Sequence, residues 1–532
     1  MSIVAKAPWW ARGVIYQIYP RSFQDSDGDG VGDLAGIAAR LDYVAGLGVD
    51  AIWLSPIFPS PMADFGYDVA DYCGIEPMFG DLVAFDTLLA DAHARGLKVL
   101  LDFVPNHTSD QHAWFRESRS ARDNPKRDWY IWRDPAPDGG PPNNWISDFG
   151  GSSWEWDEAS GQYYLHAFLK SQPDLNWRNP DLRAAMMDVL RFWLDRGVDG
   201  FRIDVLWHIV KAADLPDNPV NPDWTPNRTE RDRLIQHHST DQPEAHEIAA
   251  EFRALADQYG ERVLIGEIFL PNDRHARWFG TVERPEVHMP FNFQLIENAW
   301  NAAVLRDVIA DYEASLPAHG WPNWVFGSHD APRIAARVGE PQARVAAMLL
   351  LTLRGTPTLY QGDEIGIGEV IIPADRVRDP QELRQPGLGI GRDRSRTPVP
   401  WDASPFAGFS TVEPWLPLNA DWPTRNVAAQ DRDPRSLLTF YRAMLALRRE
   451  QAALSVGDML LVAGDDDVLA YERRDGDVRL LIVLNFSNQR RMLILPTGAI
   501  VAEVLASTLP PRALEGVLEP DEGLVLRLGS AR

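Results

Sequence analysis

A short stretch of the chain places an arginine and an aspartate two residues apart at the end of an apolar run. The stretch is residues 196–205 (RGVDGFRIDV), and its two charged residues are Arg202 and Asp204. If the stretch forms a buried β-strand, its period of two puts both side chains on one face. A cation beside a carboxylate favours the ionised form, which a carboxylate nucleophile requires. A structural ion pair would give the same pattern, so the pair alone leaves both interpretations open.

Three further apolar stretches end in the same way, with polar side chains at the predicted strand end. They are residues 97–104 (LKVLLDFV), 262–269 (RVLIGEIF) and 324–327 (WVFG). Each of the four stretches carries polar residues at its end or just after it. In chain order they are Asp102, Asn106 and His107 for the first; Arg202 and Asp204 for the second; Glu267 for the third; and His329 and Asp330 for the fourth. Because all four strand ends carry carboxylates or imidazoles, they indicate one shared site.

In this order and spacing, the four regions resemble the four signature regions of the α-amylase superfamily, glycoside hydrolase family 13. Further motifs resemble the α-glucosidase and oligo-1,6-glucosidase branch of that family, and the resemblance covers essentially the whole chain. These motifs are residues 14–23 (VIYQIYPRSF), 64–68 (DFGYD), 172–176 (QPDLN) and 391–398 (GRDRSRTP). One position departs from the family pattern, because Ser328 stands where the family usually has Asn before His329.

The resemblance implies three catalytic carboxylates. Asp204 would be the nucleophile, Glu267 the acid/base, and Asp330 the group that binds the 2- and 3-hydroxyls of the sugar. A retaining glycosidase needs its nucleophile and its acid about 5 Å apart, and adjacent parallel strands are about 4.8 Å apart. We expect Arg202 to keep Asp204 ionised, and the neighbouring carboxylate to raise the pKa of Glu267, as a general acid requires.

The resemblance also implies a pocket for the terminal glucose. Its predicted residues are Asp64, Tyr67, His107, Phe168, Arg202, His329 and Arg392. A pair between Asp64 and Arg392 would close the far end of the pocket and make the enzyme exo-acting, although Arg396 competes with Arg392 for this role and a surface ion pair is the alternative. Phe149, and Phe291 or Phe293, are candidate aromatic walls, for which core packing is equally compatible.

Residues 25–33 (DSDGDGVGD) space four aspartates among glycines in a pattern that could bind a metal ion. The spacing resembles the first positions of a calcium loop, but position twelve is Gly36 rather than Glu, so the loop is not a complete EF-hand. The family branch often has such a loop after its first strand. We therefore expect a structural Ca²⁺ or Mg²⁺, with a plain Asp/Gly turn as the alternative and no organic cofactor. The predicted ligands are Asp25, Asp27, Asp29, Val31 (through its carbonyl) and Asp33.

Strand-like runs alternate with amphipathic helical stretches along the chain, which is the pattern of βα units. The predicted strands are 14–19, 51–54, 98–104, 198–203, 263–269, 288–293, 324–327 and 356–361. Eight such units predict an α/β fold, a (β/α)8 TIM barrel, whose active sites lie at the C-terminal strand ends. The candidate catalytic residues fall at those ends.

Two regions interrupt the alternation. Residues 105–171, rich in Trp, Pro, Gly and Asp, are predicted to form an inserted subdomain after the third strand, and residues 211–247 are a second candidate lid. The barrel would then comprise residues 1–104 and 172–455. From about residue 456 the period changes to that of strands, so we expect a C-terminal antiparallel β-sandwich domain over residues 456–532.

Composition and charge exclude several kinds of partner. A net charge of −24 argues against nucleic acid and anionic membranes, since both would repel the protein. The single cysteine, Cys73, excludes an internal disulfide framework. The N-terminus has no signal-peptide pattern, and the longest apolar run, residues 345–353, is too short to span a bilayer. We expect a cytoplasmic protein, and nothing in the sequence indicates its oligomeric state.

The sequence therefore predicts a retaining, exo-acting α-glucosidase that cleaves disaccharides and short oligosaccharides through a covalent glucosyl-enzyme, with transglucosylation. The alternative is a glucosyl transferase or isomerase of the same family, of the sucrose isomerase, trehalose synthase or amylosucrase type. In the resembling branch, Val directly after the nucleophile accompanies α-1,6 activity and Thr accompanies α-1,4 activity. Val205 occupies this position. A non-catalytic barrel is disfavoured because all three carboxylates are present.

Overall fold

The computed structural model describes residues 7–462 and 464–530. Eight parallel strands form a closed barrel in which each strand pairs with the next along the chain and the last pairs with the first. The strands are β1 (Ile15–Ile18), β2 (Ala51–Leu54), β3 (Lys98–Phe103), β4 (Gly200–Ile203), β5 (Val263–Glu267), β6 (Met289–Asn292), β7 (Asn323–Val325) and β8 (Thr356–Tyr360). All eight predicted strands are confirmed, and their ends differ from the prediction by no more than two residues. The predicted TIM barrel is thereby confirmed.

Helices surround the barrel, and several begin at a side chain that accepts a backbone N–H of the first turn. Asp81, Asn179, Asn301 and Ser436 are caps of this kind. The α-helices are Trp9–Arg12, Leu34–Ala39, Leu41–Leu47, Leu82–Ala94, Ala113–Ser120, Pro180–Asp195, Pro243–Ala256, Asn272–His275, Gln294–Glu297, Ala302–Ser315, Ile334–Thr352 (broken at Gly339), Pro380–Arg384, Val427–Asp431, Leu437–Glu450 and Ala452–Ser455. None of the helices within the described ranges is long and apolar enough to cross a membrane.

A three-stranded antiparallel sheet lies between β3 and β4, in the region predicted to be an inserted subdomain. Its strands are Trp132–Arg133, Trp154–Asp157 and Gln162–Leu165, with the last in the centre. The 211–247 segment packs against it, because Leu215 joins its apolar cluster and Trp145 Nε1 donates to the carbonyl of Pro216 at 2.9 Å. These two regions therefore form one continuous wall above the barrel.

A five-stranded antiparallel sheet follows the last helix. Its strands, in spatial order, are Asp458–Val462, Val468–Asp475, Val478–Asn485, Gly523–Ser530 and Ala499–Ser507, and a two-stranded sheet joins Arg491–Met492 to Val517–Leu518. Leu480 and Ile482 share the large core of the barrel, whereas Leu481 and Val483 belong to a separate core on the other face. Buried Arg448 holds the helix Leu437–Glu450 against the barrel by donating to the carbonyls of Leu351 and Gly355. Buried Arg473, on the second strand of the sheet, joins this region to the barrel by donating to the carbonyl of Thr352. The exact domain boundaries stay predictions.

Candidate active site

The guanidinium of Arg202 contacts three carboxylates on three adjacent strands. Arg202 lies opposite Asp102 in the register of β3 and β4, and its Nη1 is 2.7 Å from Oδ1 of Asp102 and 2.7 Å from Oδ1 of Asp204. Its Nη2 is 2.7 Å from Oε2 of Glu267. Ile203 pairs with Gly266, so the next residues, Asp204 and Glu267, leave the barrel side by side. The arginine side chain is only 2 % exposed, so this cation is shared by three largely desolvated acids.

The electrostatics of this cluster differ from the expectation based on Arg202 alone. Burial raises the pKa of Asp204 well above its ordinary range, and Glu267 and Asp102 add to the rise, although Arg202 lowers it. Burial likewise raises the pKa of Asp102 to about 6, with Arg202 again acting in the opposite direction. The expectation that Arg202 keeps Asp204 ionised considered only the positive charge of Arg202. It left out the burial of Asp204 and the other two carboxyl groups, all of which raise the pKa. The raised pKa expected for Glu267 stays a prediction.

Asp330 has a different environment from the other two candidate catalytic acids. Its Oδ1 is 2.6 Å from Nη2 of Arg396 and 3.4 Å from Nη1 of Arg392, and its Oδ2 is 3.2 Å from Nε2 of His329. Burial alone would raise the pKa of Asp330, but the guanidinium groups of Arg392 and Arg396 hold it well below its ordinary range. Its side chain is still 37 % exposed. Asp330 is therefore a carboxylate that is held ionised and faces the cavity.

The pair between Asp64 and Arg392 forms as expected. Nη2 of Arg392 is 2.8 Å from Oδ1 of Asp64 and 2.7 Å from Oδ1 of Asp379. Both members of the pair are largely buried, with side-chain exposures of 10 % and 5 %, so it is not a surface ion pair. Arg396 instead lies behind Asp330, where its Nε donates to the carbonyl of His329. The structure thus favours Arg392 over Arg396 as the partner of Asp64.

Neutral polar groups connect the two ends of the pocket. The Tyr67 hydroxyl lies 3.0 Å from Oδ2 of Asp102 and 2.6 Å from Nε2 of His329, whose ring stacks on that of Tyr67. Burial lowers the pKa of His329 to about 3 and that of His107 to about 4, so both imidazoles are uncharged near neutral pH. Phe168 packs against His107 with 5.1 Å between the ring centroids. These side chains offer hydrogen bonds and apolar surface without adding charge.

A cavity of about 420 Å³ opens at the C-terminal ends of the strands, within the range usual for small-ligand sites. It brings together most of the predicted catalytic and glucose-binding residues. Those that line it are Asp64, Tyr67, His107, Phe149, Phe168, Asp204, Glu267, Asp330 and Arg392. Arg202 and His329 do not line the cavity. They lie behind it and contact side chains that do.

Several lining residues were not predicted from the sequence. They are Asp148, Trp207, His208, Arg231, Phe269 and Gln381. Phe269 could have been found, because it stands two residues after Glu267 and therefore on the same side of an extended chain. Its ring stacks on Phe293 at 3.9 Å, and Phe293 in turn contacts Phe291, so these two candidate walls pack behind the cavity instead of lining it. The carboxylate of Asp148 and the guanidinium of Arg231 are 3.0 Å apart. Asp148 lies on a loop and Arg231 begins the short 3₁₀ helix Arg231–Arg233, and neither segment carries a periodic signal.

Three loops at the mouth of the cavity are joined by hydrogen bonds. The N–H of Gly151 donates to Oε2 of Glu230 at 2.8 Å, and the N–H of Glu230 donates to Oε1 of Gln385 at 3.0 Å. Arg384 completes the ring by donating through Nε to the carbonyl of Phe149 at 3.0 Å. The inserted subdomain, the 211–247 segment and the segment after β8 therefore brace one another.

The aspartate-rich loop lies after β1, apart from this cavity. Asp25, Asp27 and Asp29 each place a carboxylate oxygen within 4.8 Å of the others. Asp33 is not part of this group, because its side chain accepts hydrogen bonds from Ser26 and from the N–H of Gly36, at the start of a helix. Three of the four predicted aspartates therefore come together.

Comparison with known proteins places this architecture in one family. The protein-family model described as the alpha amylase catalytic domain matches residues 17–457 of this chain. A probable alpha-glucosidase of Rhizobium meliloti is 42% identical over 92% of this chain and 91% of its own length. An oligo-1,6-glucosidase of Parageobacillus thermoglucosidasius is 38% identical over 92% of each chain.

Solved structures agree with the sequence comparison over nearly the full length. The alpha-glucosyl transfer enzyme XgtA superimposes with a TM-score of 0.93 at 42% identity and covers 98% of this chain and 99% of its own. The trehalulose synthase of Pseudomonas mesoacidophila MX-45 gives a TM-score of 0.92 at 37% identity, over 98% and 100%. With the barrel and the clustered carboxylates, these matches show that the chain belongs to the α-amylase family of glycoside hydrolases, family 13.

Proposed function

We propose that the protein is a retaining, exo-acting α-glucosidase that releases glucose from the non-reducing ends of disaccharides and short oligosaccharides. One observation carries the proposal: Asp204 and Glu267 leave adjacent strands, share Arg202, and face one cavity. This is the arrangement that a double displacement requires, because nucleophile and acid must flank a single glycosidic bond. The relatives that are named as α-glucosidases and oligo-1,6-glucosidases support it.

Each residue has a role in the proposed reaction. Asp204 attacks the anomeric carbon while Glu267 gives its proton to the departing oxygen, and Glu267 then takes a proton from the water that releases glucose. The ionised Asp330 accepts hydrogen bonds from sugar hydroxyls as the ring flattens toward the transition state. The buried pair of Asp64 and Arg392 closes one end of the cavity, which supports exo action because the chain of a longer glucan cannot continue past it.

A glucosyl transferase or isomerase is the second candidate, supported by the similarity to XgtA and to trehalulose synthase. All these reactions share the glucosyl-enzyme and differ in whether water or a sugar intercepts it. The charged Arg-Leu-Asp-Arg-Asp loop associated with sucrose isomerases does not occur in the sequence. Hydrolysis is therefore the main proposed reaction, with transfer to sugars as a side reaction.

Initial products from maltose, isomaltose, sucrose and trehalose test this function. NMR spectra of the first minutes should show α-glucose, since two inversions restore the configuration of the anomeric carbon. Free glucose and fructose should appear from sucrose. An inverted anomer would contradict the retaining mechanism, and conversion of sucrose into another disaccharide would favour the isomerase.

Val205 extends the same experiment to linkage preference. Its side chain lies beside the nucleophile and lines the cavity. It offers no hydrogen bond to the leaving sugar, whereas Thr has nearly the same shape and adds a hydroxyl. Such a contact changes discrimination between substrates by about 1–3 kcal/mol. We expect kcat/KM on isomaltose at least comparable with that on maltose, and a shift toward maltose in Val205→Thr. A wild-type enzyme strongly specific for maltose would contradict this.

We further propose that the loop after β1 holds a structural Ca²⁺ or Mg²⁺ through Asp25, Asp27 and Asp29, with the Val31 carbonyl as a further ligand. The carboxylates fit a hard cation, since their oxygens lie within 4.8 Å of one another. Burial raises the pKa of Asp25, but Ser410 and the N–H groups of Gly28 and Gly30 bring it below its usual value. Asp25 thus remains an ionised ligand even in mildly acidic solution.

Removal of the metal should lower thermal stability without abolishing catalysis. Binding to the native state alone contributes roughly 2.7 kcal/mol at a hundredfold excess over Kd. A chelator should therefore lower Tm, while kcat at a temperature well below Tm stays nearly constant. Asp29→Asn should lower Tm and make it insensitive to chelator, whereas Asp138→Asn, in an exposed turn, should behave as wild type. An unchanged Tm with no metal found by elemental analysis would exclude the site.

A further inference from the structure

Val205, directly after the proposed nucleophile, has an unusual backbone conformation. Its φ of 35° and ψ of 44° lie in the left-handed region. Among residues 7–462 and 464–530, it is the only β-branched residue with positive φ. A β-branched side chain in this region is a genuine conformational outlier, and such strain persists only where the surroundings enforce it. The left-handed conformation of Val205 therefore requires a structural or functional explanation.

The surrounding turn enforces this conformation. The carbonyl of Val205 accepts the N–H of His208 at 2.8 Å, which closes the short 3₁₀ helix Leu206–His208 directly after β4. That helix packs tightly on β5: a Cβ atom added to Gly266 would lie 2.9 Å from Cδ2 of Leu206. The chain therefore reverses immediately after Asp204 and remains against the strand that carries Glu267.

This turn brings the N–H of Val205 to the second catalytic carboxylate. The N–H donates to Oε2 of Glu267 at 2.8 Å, and Nη2 of Arg202 is 2.7 Å from the same oxygen. Oε1 of Glu267 makes no hydrogen bond or ion pair with the described part of the chain, and Glu267 lines the cavity. The two oxygens of the carboxylate are thus distinguished: Oε2 is held by two donors and Oε1 is left for the substrate.

We propose that Val205 is a positioning residue whose backbone N–H, presented by the strained turn, anchors Oε2 of Glu267 and so makes Oε1 the oxygen that transfers the proton. The proposal rests on the proposed role of Glu267 as acid/base, and it is separate from the effect of the Val205 side chain on linkage. In the first step, the Oε1–H bond breaks as the proton moves to the glycosidic oxygen. The electron pair of the broken C–O bond stays on that oxygen, and the carboxylate that remains is stabilised by the two donors on Oε2.

The sharpest test removes this backbone N–H and leaves the side chain of Val205 unchanged. The hydroxy-acid analogue of valine, incorporated at position 205 of the full chain, replaces the amide by an ester. Loss of a donor to the carboxylate form makes Glu267 a weaker acid. We expect kcat/KM on a disaccharide to fall about tenfold and the basic limb of its pH profile to move up by about one unit, as for loss of one charge-assisted hydrogen bond. On an aryl glucoside with a strongly activated leaving group, kcat/KM should change less than about twofold.

Two controls separate positioning from a merely structural effect. An ester at Leu206, the first residue of the 3₁₀ helix, removes a neighbouring N–H that has no partner within that helix, and it should leave the pH profile in place. Val205→Gly keeps the N–H and tolerates positive φ, so its basic limb should stay where it is in wild type. The proposal would be overturned if the Val205 ester lowered kcat/KM equally on the disaccharide and on the activated aryl glucoside. It would also be overturned if Val205→Gly moved the basic limb of the pH profile as far as the ester does.

A double-mutant cycle isolates the interaction with Glu267. In a Glu267→Ala background, assayed on an aryl glucoside whose poor leaving group still needs protonation, the Val205 ester should cause no further loss because its partner is absent, whereas with Glu267 present the same ester should lower kcat/KM on that substrate about tenfold. Additive losses would overturn the proposed contact. Normal disaccharide activity in Glu267→Ala alone would instead refute the acid/base role of Glu267, so the two failures are distinguishable.

Discussion

Replacing Asp204 by Asn or Glu267 by Gln is expected to lower turnover of a disaccharide at least about a thousandfold, because each change removes one half of the double displacement. The two variants should differ on an activated aryl glucoside, whose leaving group needs little protonation. Glu267→Gln should release one equivalent of aglycone and then stall as a glucosyl-enzyme, whereas Asp204→Asn should release none. Mass spectrometry of the quenched protein distinguishes the two.

A matched control lies in the same cavity. Asp148→Asn makes the same change of carboxyl to amide at the mouth, where the side chain pairs with Arg231. This change should alter KM more than kcat, and kcat/KM should fall by no more than about tenfold, because the Asp148 carboxyl group takes no part in the displacement. Near-normal disaccharide turnover in Asp204→Asn or Glu267→Gln would refute the assignment of roles.

Removal of Arg202 should have the largest effect on stability. Arg202→Met leaves three buried carboxyl groups without their shared cation. Breaking a buried ion pair from one side costs roughly 3–5 kcal/mol. Arg202→Lys should recover only part of this, because a compact ammonium cannot bridge three carboxylates as a planar guanidinium does. Urea unfolding of the wild type and both variants measures the difference.

The destabilisation should depend on pH with a defined sign. The folded-state pKa values of Asp102 and Asp204 are already raised by burial, and without Arg202 they rise further. A carboxyl group whose pKa is raised on folding disfavours the folded state at pH values above its unfolded pKa, and the penalty increases until the pH passes its folded pKa. The free-energy loss in Arg202→Met should therefore be larger at pH 8 than at pH 5.

Arg448→Met provides the contrast for this pH dependence. Arg448 is also buried, but its guanidinium donates to backbone carbonyls and not to acids. Its loss should destabilise the protein by an amount that changes little between pH 5 and pH 8. A pH-independent loss in Arg202→Met would mean that the three carboxyl groups do not share the cation as the geometry indicates.

The barrel and the core of the site could be predicted because both follow short-range patterns. Each strand is a compact apolar run, and the catalytic groups stand at fixed positions at its end, as Asp204 does after β4. The period of two correctly placed Arg202 beside Asp204. Barrel closure then brought residues from distant parts of the sequence, such as Asp64 and Arg392, to one edge.

Other features depend on contacts that no local pattern encodes. The choice between Arg392 and Arg396 rests on how one loop folds back over the barrel, and both arginines fit the same motif. The raised pKa of Asp204 depends on burial and on Asp102, which belongs to a different strand. Likewise, the left-handed conformation of Val205 arises from packing on β5 and could not be predicted for a residue type that disfavours it.

The ring of hydrogen bonds around the mouth bears on how the range of substrates could change in evolution. Gly151, Glu230 and Gln385 come from three segments far apart in the sequence, yet each depends on the position of the next. An insertion in one segment would disturb the other two, so a wider entrance requires compensating changes in all three. Adaptation to bulkier acceptors would therefore proceed through linked sets of substitutions, with strong epistasis between distant loops.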